Sequence, residues 1–288
     1  MPQRKFSVLV IAHGRAAHLQ QLLTGVERSL EPPGEVVLVY MDEPHPEELS
    51  CSLPLRIHHV SSGGAETGLP LARARNTAAA VATFPYLVFL DVDCIPSAEL
   101  FTAMVDAIEG KPVLAMAEPR YLRAALETGF SYDDSSLVEA SVAHHARRSL
   151  AEGGNESRHE MFWSLGFSIK AELFGRLGGF DGGFTGYGGE DTDFAFRVRS
   201  AGIPMRFVTE ALFHQHHGVH KPPLNHFEAI VANARLFHER WGSWPMEGWL
   251  GAFASAGLLE WNPESTVLTM LRTPTRAEIE SARSSDPY

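Results

Sequence analysis

The chain has 288 residues, of which 44% are hydrophobic and 20% charged, an ordinary globular balance. A chain of this length buries roughly three quarters of its unfolded surface, enough for a self-sufficient core. Acidic residues outnumber basic ones 35 to 24, so the net charge is −11, which argues against nucleic acid as a partner because phosphate-backbone binding needs clustered Lys and Arg.

The two cysteines, Cys51 and Cys94, exclude a disulfide framework or a cysteine-rich zinc site and read as free thiols in a reducing compartment. No apolar run reaches the length of a membrane span, and Met1 to Phe6 leads into a strand-like run without a signal-peptide pattern. A cytoplasmic location is the resulting expectation.

The first half alternates strand and helix signals. Residues 7–11 form a short β-branched apolar run, the pattern of a buried strand. Leu19, Leu22, Leu23, Val26 and Leu30 follow at helical spacing, and Pro32-Pro33-Gly34 stops that helix. Residues 36–39 form a second strand ending at Asp42, and 55–60 a third. Residues 61–64 read as a loop and 71–82 as an Ala-rich helix. Residues 86–90 are a strand running into Asp91-Val92-Asp93. Ser97 is placed to cap a helix that buries Leu100, Phe101, Met104, Val105 and Ile108. Residues 113–117 form another strand. This alternation implies a mainly parallel sheet covered by helices.

Residues 126–160 read as a polar helical segment followed by a loose stretch over 151–157, where Asn155-Glu156-Ser157 is a formal but incidental glycosylation sequon. Structure resumes at Met161–Leu165. From Leu224 onward helical patterns dominate. No internal repeat or linker separates the parts.

Three constellations carry chemistry. The first is Asp91-Val92-Asp93 at a strand end, where ligands of open α/β sheets bind. Period-2 geometry sends both carboxylates to one side, where they can hold a divalent cation or merely cap a turn. The second is the glycine-rich stretch Gly178–Gly189 followed by Glu190, Asp191 and Asp193. Such a loop approaches a ligand closely or moves as a lid. Helix capping accounts for one of the acids but not for all three. The third is His214, His216, His217 and His220, too dense for core packing, and readable either as a surface polar cluster or, with carboxylates, as a site suited to Mn²⁺ or similar ions.

In this order, Asp-Val-Asp-x-Ile-Pro, Gly-Gly-Phe-Asp…Gly-x-Gly-Gly-Glu-Asp-x-Asp and His-x-x-His resemble family 2 glycosyltransferases of the GT-A fold, and within them the β-1,4-galactosyltransferase type. The likeness extends to Arg15-x-x-His18-Leu19 and touches Arg75-Asn76, covering roughly residues 6–220. The fold it implies is α/β, a Rossmann-like mixed and mainly parallel sheet flanked by helices. Residues 1–220 would be the GT-A domain, with a nucleotide-sugar half over 1–120 and an acceptor half over 121–220. Residues 221–288 would be a helical extension packed on it.

The resemblance implies roles. Asp93 and His217 would be metal ligands, with His214 where the galactosyltransferase has a methionine ligand and His216 as the competing choice. Mn²⁺ is the first candidate and Mg²⁺ the second. Arg15, Asp42, Arg75, Asp91 and Tyr187 would hold the donor, Tyr187 standing where the galactosyltransferase has a lid tryptophan. Asp191 would be the catalytic base and Glu190 a hydrogen-bond partner of donor or acceptor. The implied activity is metal-dependent inverting transfer of a hexose or N-acetylhexosamine from a nucleotide diphosphate donor, UDP-linked in the first instance, to an acceptor hydroxyl. The alternatives are a retaining transferase on the same fold, a metal-dependent hydrolase, and a silent nucleotide-sugar-binding module.

Overall fold

The apolar run after Lys5 forms β1 (Phe6–Ala12), buried along its whole length. Val8, Val10 and Ala12 enter one apolar layer, and Leu9 and Ile11 the other, as expected of a strand covered on both faces. The computed structural model describes residues 4–45, 49–63, 68–146, 154–156 and 158–286. Helix α1 (Ala16–Glu27) turns Leu19, Leu22, Leu23 and Val26 into the first layer. Leu30 lies past the end of α1 and is exposed, so the buried stripe ends one turn before the spacing suggests.

β2 (Glu35–Met41), β3 (Leu55–Val60), α2 (Leu71–Val81), β4 (Tyr86–Asp91), β5 (Cys94–Pro96), α3 (Leu100–Ile108) and β6 (Leu114–Leu122) follow. Then come α4 (Asp134–Glu139), β7 (Ser141–Ala143), β8 (Gly154–Glu156), β9 (Gly166–Lys170), α5 (Ala171–Arg176), α6 (Glu190–Ser200) and β10 (Met205–His214). The C-terminal part holds β11 (Val219–His220), α7 (Phe227–Trp241), α8 (Glu247–Ser255), β12 (Leu259–Glu260), β13 (Thr269–Met270), α9 (Arg276–Ser281) and β14 (Arg283–Ser284).

The main sheet has the order β3-β2-β1-β4-β9-β6-β10-β5, with β7 on β6 and β8 on β10. β1, β2, β3, β4, β6 and β10 run in one direction, and β9 is inserted between β4 and β6 in the reverse sense. The sheet is therefore mixed and mainly parallel, as the alternation predicts. α1 and α3 pack on one face, and α2, α5 and α6 on the other. Deleting a fully buried side chain such as Leu22 removes about 2–5 kcal/mol of stability.

The connectivity also fixes where a ligand can sit. The chain builds outward from β1 to β3, then returns to place β4 on the other side of β1. That reversal opens a crevice at the carboxyl ends of β1 and β4. Arg15 follows β1, and Asp91 ends β4.

Several expectations need correction. Residues 126–160 are not one helical segment: among the described residues they hold the single turn-and-a-half α4, two three-residue strands and a short 3₁₀ turn at His159–Met161. Asp133 starts α4 by accepting from Ser136 N–H, a strong local stop for any longer helix. Residues 147–153 and Ser157, and with them much of the loose stretch and the last sequon position, lie outside the described residues, as does Gly64. The strand after Leu165 begins at Gly166 and carries the buried run Phe167–Ile169. Ser97 does not cap α3 with its side chain; Glu99 occupies the N-cap position, and no side-chain cap bond forms there.

Beyond residue 220, α7 and α8 bury Phe227, Ile230, Val231, Leu250 and Phe253 with Trp244 and Trp261 in a third apolar cluster. Two-stranded ribbons, β11 with β14 and β12 with β13, accompany these helices. Among the described residues no helix is long and apolar enough to cross a membrane.

Candidate active site

The Asp-Val-Asp sequence is not a continuing strand. β4 ends at Asp91, and Val92-Asp93 form a turn before β5, so strand alternation does not set the two carboxylates. The antiparallel pairing of β5 with β10 places His214 opposite Cys94, and Gln215 N–H donates to the Asp93 carbonyl at 2.7 Å. The end of β10 is thereby held against the Asp93 turn.

His214 Nε2 lies 3.7 Å from Asp93 Oδ1, and His217 Nε2 lies 3.5 Å from Asp93 Oδ2. One ligand atom from each of Asp93, His214 and His217 falls within 4.8 Å of the others. Burial lowers the His214 pKa to about 4, so its imidazole is neutral near pH 7 and keeps a lone pair. His217 Nδ1 lies 3.0 Å from the Gly218 carbonyl, and with Nδ1–H donating there Nε2 presents its lone pair toward Asp93. Burial alone would raise the Asp93 carboxyl, but His214, His217 and Arg15 outweigh it and hold it well below the usual range. This nitrogen and carboxylate set fits a divalent metal ion.

Arg15 caps α1 in the left-handed region at φ 57 and ion-pairs Asp93. His216, the competing histidine, is not in the group; its Nε2 is 2.8 Å from the Ser285 carbonyl. Asp42, at φ 54 just after β2, accepts from Ser62 N–H at 2.7 Å, a bond that lowers its pKa.

The acids form a second centre. Arg75 on α2 reaches Asp91 at 3.0 Å and Glu190 at 3.1 Å, joining the strand end to the first turn of α6. Burial and the Asp191 charge raise Glu190 to about 7, against the opposing pull of Arg75. Burial raises Asp191 too, opposed by Arg75 and by the N–H groups of Thr192 and Ser164. Asp91 is likewise raised by burial, with Arg75 opposing. Four titratable groups thus share one crevice, and the acids there hold protons more tightly than they would in water.

Tyr187 stacks on His226 at 4.6 Å and on Trp249 at 5.7 Å between ring centroids, so the C-terminal segment supplies its aromatic neighbours. A wall of rings lies beside the metal-type cluster, in which only Trp163 stood out in the sequence, as one of several aromatics able to build a sugar platform. Tyr121 lies 4.9 Å from His214 and 5.6 Å from His144, and His144 lies 4.7 Å from Trp163. Trp163 adjoins Ser164, whose N–H favours the charged form of Asp191, so the rings end near the acid centre. Nothing in the local pattern of residues 121, 144 and 163 signals this; the pairing of β6 with β7 brings two of them together. His18, within the Arg-x-x-His-Leu element, approaches the His216 carbonyl at 3.4 Å.

Comparison with known proteins agrees with this architecture. The family model described as glycosyltransferase like family 2 matches residues 10–222. Two validoxylamine A glucosyltransferases, from Streptomyces hygroscopicus subsp. limoneus and subsp. jinggangensis (strain 5008), are each 28% identical over 265 residues, covering 81% of this chain. The chain spans 55% and 59% of the length of these two relatives. GalNAc-T7, crystallised with UDP, GalNAc and Mn²⁺, superposes with a TM-score of 0.53 at 18% identity, over 73% of this chain and 43% of its own. S. aureus TarS 1–349 superposes with a TM-score of 0.52 at 15% identity, over 80% of this chain and 64% of its own. At these identities the two structures speak for the fold. The family match covers most of the chain and ends just past the histidine cluster: the chain belongs to the glycosyltransferase like family 2.

Proposed function

We propose that the protein is a metal-dependent, inverting glycosyltransferase that moves a hexose or N-acetylhexosamine from a UDP-linked donor to an acceptor hydroxyl. The observation that carries this reading is a pair of neighbouring centres: Asp93, His214 and His217 in one, and Glu190 and Asp191 in the other, tied through Arg75 to Asp91, whose carboxyl feels the Asp93 charge. UDP and Mn²⁺ in the GalNAc-T7 structure, UDP in a TarS complex with a TM-score of 0.51, and the glucosyltransferase relatives support the donor class and make glucose the first sugar to test.

A divalent cation at Asp93, His214 and His217 would supply charge neutralisation for the leaving diphosphate. Arg15, already against Asp93, adds a cation on the nucleotide side. Asp191 takes the proton of the acceptor hydroxyl as its oxygen bonds to the anomeric carbon and the bond to the diphosphate oxygen breaks. A raised pKa makes Asp191 a stronger base than a solvated aspartate. Glu190, protonated over much of the range below pH 7, can donate a hydrogen bond to a sugar hydroxyl. Attack opposite the leaving group inverts the anomeric centre. A glycine loop lying over the bound donor would limit attack by water.

The test is nucleotide release from UDP-glucose, UDP-galactose, UDP-N-acetylglucosamine and a GDP-sugar, each with Mn²⁺ and with chelator, across a panel of hydroxyl acceptors. Acceptor-dependent, metal-dependent UDP release with an inverted anomeric proton by NMR supports the reading. Retention of configuration replaces it with a retaining transferase. Donor consumption that ignores every acceptor replaces it with a hydrolase.

A further inference from the structure

Helix α7 grips the acid pair from both sides. Asn233, 2% exposed, donates its amide to the carbonyls of Thr185 at 3.0 Å and Gly188 at 2.7 Å, and its oxygen accepts from Thr185 N–H at 3.3 Å. These bonds close the glycine loop immediately before Glu190. Gly188 and Gly189 stand at φ 94 and 89, and a Cβ on Gly188 would meet Met246 Sδ at 2.8 Å. The positive φ values call for glycine at both positions, and Asn233 bonds the loop in that conformation.

Farther along the same helix, Arg240 Nη1 and Trp241 Nε1 reach Asp193 Oδ1 at 2.6 and 3.0 Å. Asp193 is fully buried, and Arg197 holds its other oxygen at 2.9 Å. Arg240 also ion-pairs Asp181 near the start of the loop. The loop and the turn after the acids are both tied to α7, with Glu190 and Asp191 between the ties. All of α7 lies beyond residue 222, where the family match ends.

Ordering a glycine-rich loop costs backbone entropy at every residue, which bonds such as those of Asn233 offset. Misplacing a base by as little as about 1 Å lowers a rate on the order of a hundredfold. We propose that Asn233 is a positioning residue that, by closing the glycine loop, fixes Glu190 and Asp191 where they act on the acceptor, an inference that rests on the transferase reading above. The role belongs to a segment outside the matched family span.

The experiment compares the wild-type chain with Asn233→Ala, with the near-isosteric Asn233→Asp, which loses both donors, and with Phe253→Leu, whose ring packs on Phe227. Hydrogen exchange of residues 182–189 and steady-state kinetics are read on each. Both Asn233 variants should exchange the Thr185 and Gly186 amides about tenfold faster and lose about tenfold in kcat, a larger change than that in donor KM. Phe253→Leu should lower the melting temperature and leave loop exchange and kcat as they are. A folded Asn233 variant with unchanged loop exchange or unchanged kcat overturns the proposal. Equal loss of kcat in Phe253→Leu overturns it too, because a merely structural role then accounts for the effect. A wild-type chain that transfers nothing while its loop responds as expected supports the clamp and overturns the transferase reading, so the two failures are distinct.

Discussion

The Arg75 guanidinium meets the Glu190 carboxylate at 3.1 Å across 115 positions of sequence. Both side chains are almost wholly buried, and the same guanidinium holds Asp91 at 3.0 Å. Arg75 stays charged despite burial because Asp91 and Glu190 raise its pKa. It therefore joins the end of β4 to the start of α6, and so the proposed donor side of the crevice to the acids.

Removing that cation leaves buried carboxylates without a partner. Arg75→Met should cost about 3–5 kcal/mol of folding stability, read as a lower urea midpoint at pH 7.5. The loss should shrink as pH falls, because the orphaned acids then take up protons. A variant as stable as the parent at pH 7.5 would contradict the coupling.

Glu190 gives a pH signature. Its folded pKa, about 7, lies above the ordinary 4.5, so between these values the folded state binds more protons than the unfolded one. The stability this contributes is fully present below pH 4.5 and is lost as pH rises through about 7. Across that window wild-type stability should therefore fall relative to Glu190→Gln, by about 1–3 kcal/mol, in thermal or urea unfolding followed from pH 4.5 to 8. A difference that is flat with pH would show that Glu190 ionises as it does in water.

Asp191→Asn removes the proposed base and little else. Transfer should fall by about a thousandfold, while the calorimetric affinity for donor nucleotide stays within reach of wild type. Near-normal turnover in this variant would remove Asp191 from the mechanism.

The histidines separate cleanly. His214→Ala and His217→Ala should each weaken Mn²⁺ binding by about tenfold or more, whereas His216→Ala, which loses a bond to the Ser285 carbonyl, should not. Electron paramagnetic resonance titration of free Mn²⁺ measures this directly. Equal loss in all three variants would mean that the whole loop, rather than two imidazoles, holds the ion.

Much of the fold was legible because its central strands are apolar on both faces and its helices carry regular stripes, as in β1, α1 and α2. The glycine-rich loop, the acids behind it and the histidines were visible as local clusters. What linked them was not. The bridge from Arg75 to Glu190, the ring wall of Tyr121, His144 and Trp163, and the hold of Asn233 on the loop all join residues far apart in sequence, where no spacing records the contact. β9 escaped because Gly166–Lys170 is short and sits behind irregular chain. The middle segment misled because polar residues at loose helical spacing also suit a capped short helix and brief edge strands.

The most direct test is a thermal-shift titration of UDP against the wild-type chain and Asp93→Ala, each with Mn²⁺ or with chelator. A ligand that binds only the folded state raises its melting temperature with occupancy. UDP should raise the wild-type melting temperature with Mn²⁺, much less with chelator, and not at all in Asp93→Ala. The same shift in chelator and in Asp93→Ala, or no shift with any nucleotide diphosphate in folded protein, would contradict a metal-dependent nucleotide-sugar site at Asp93, His214 and His217.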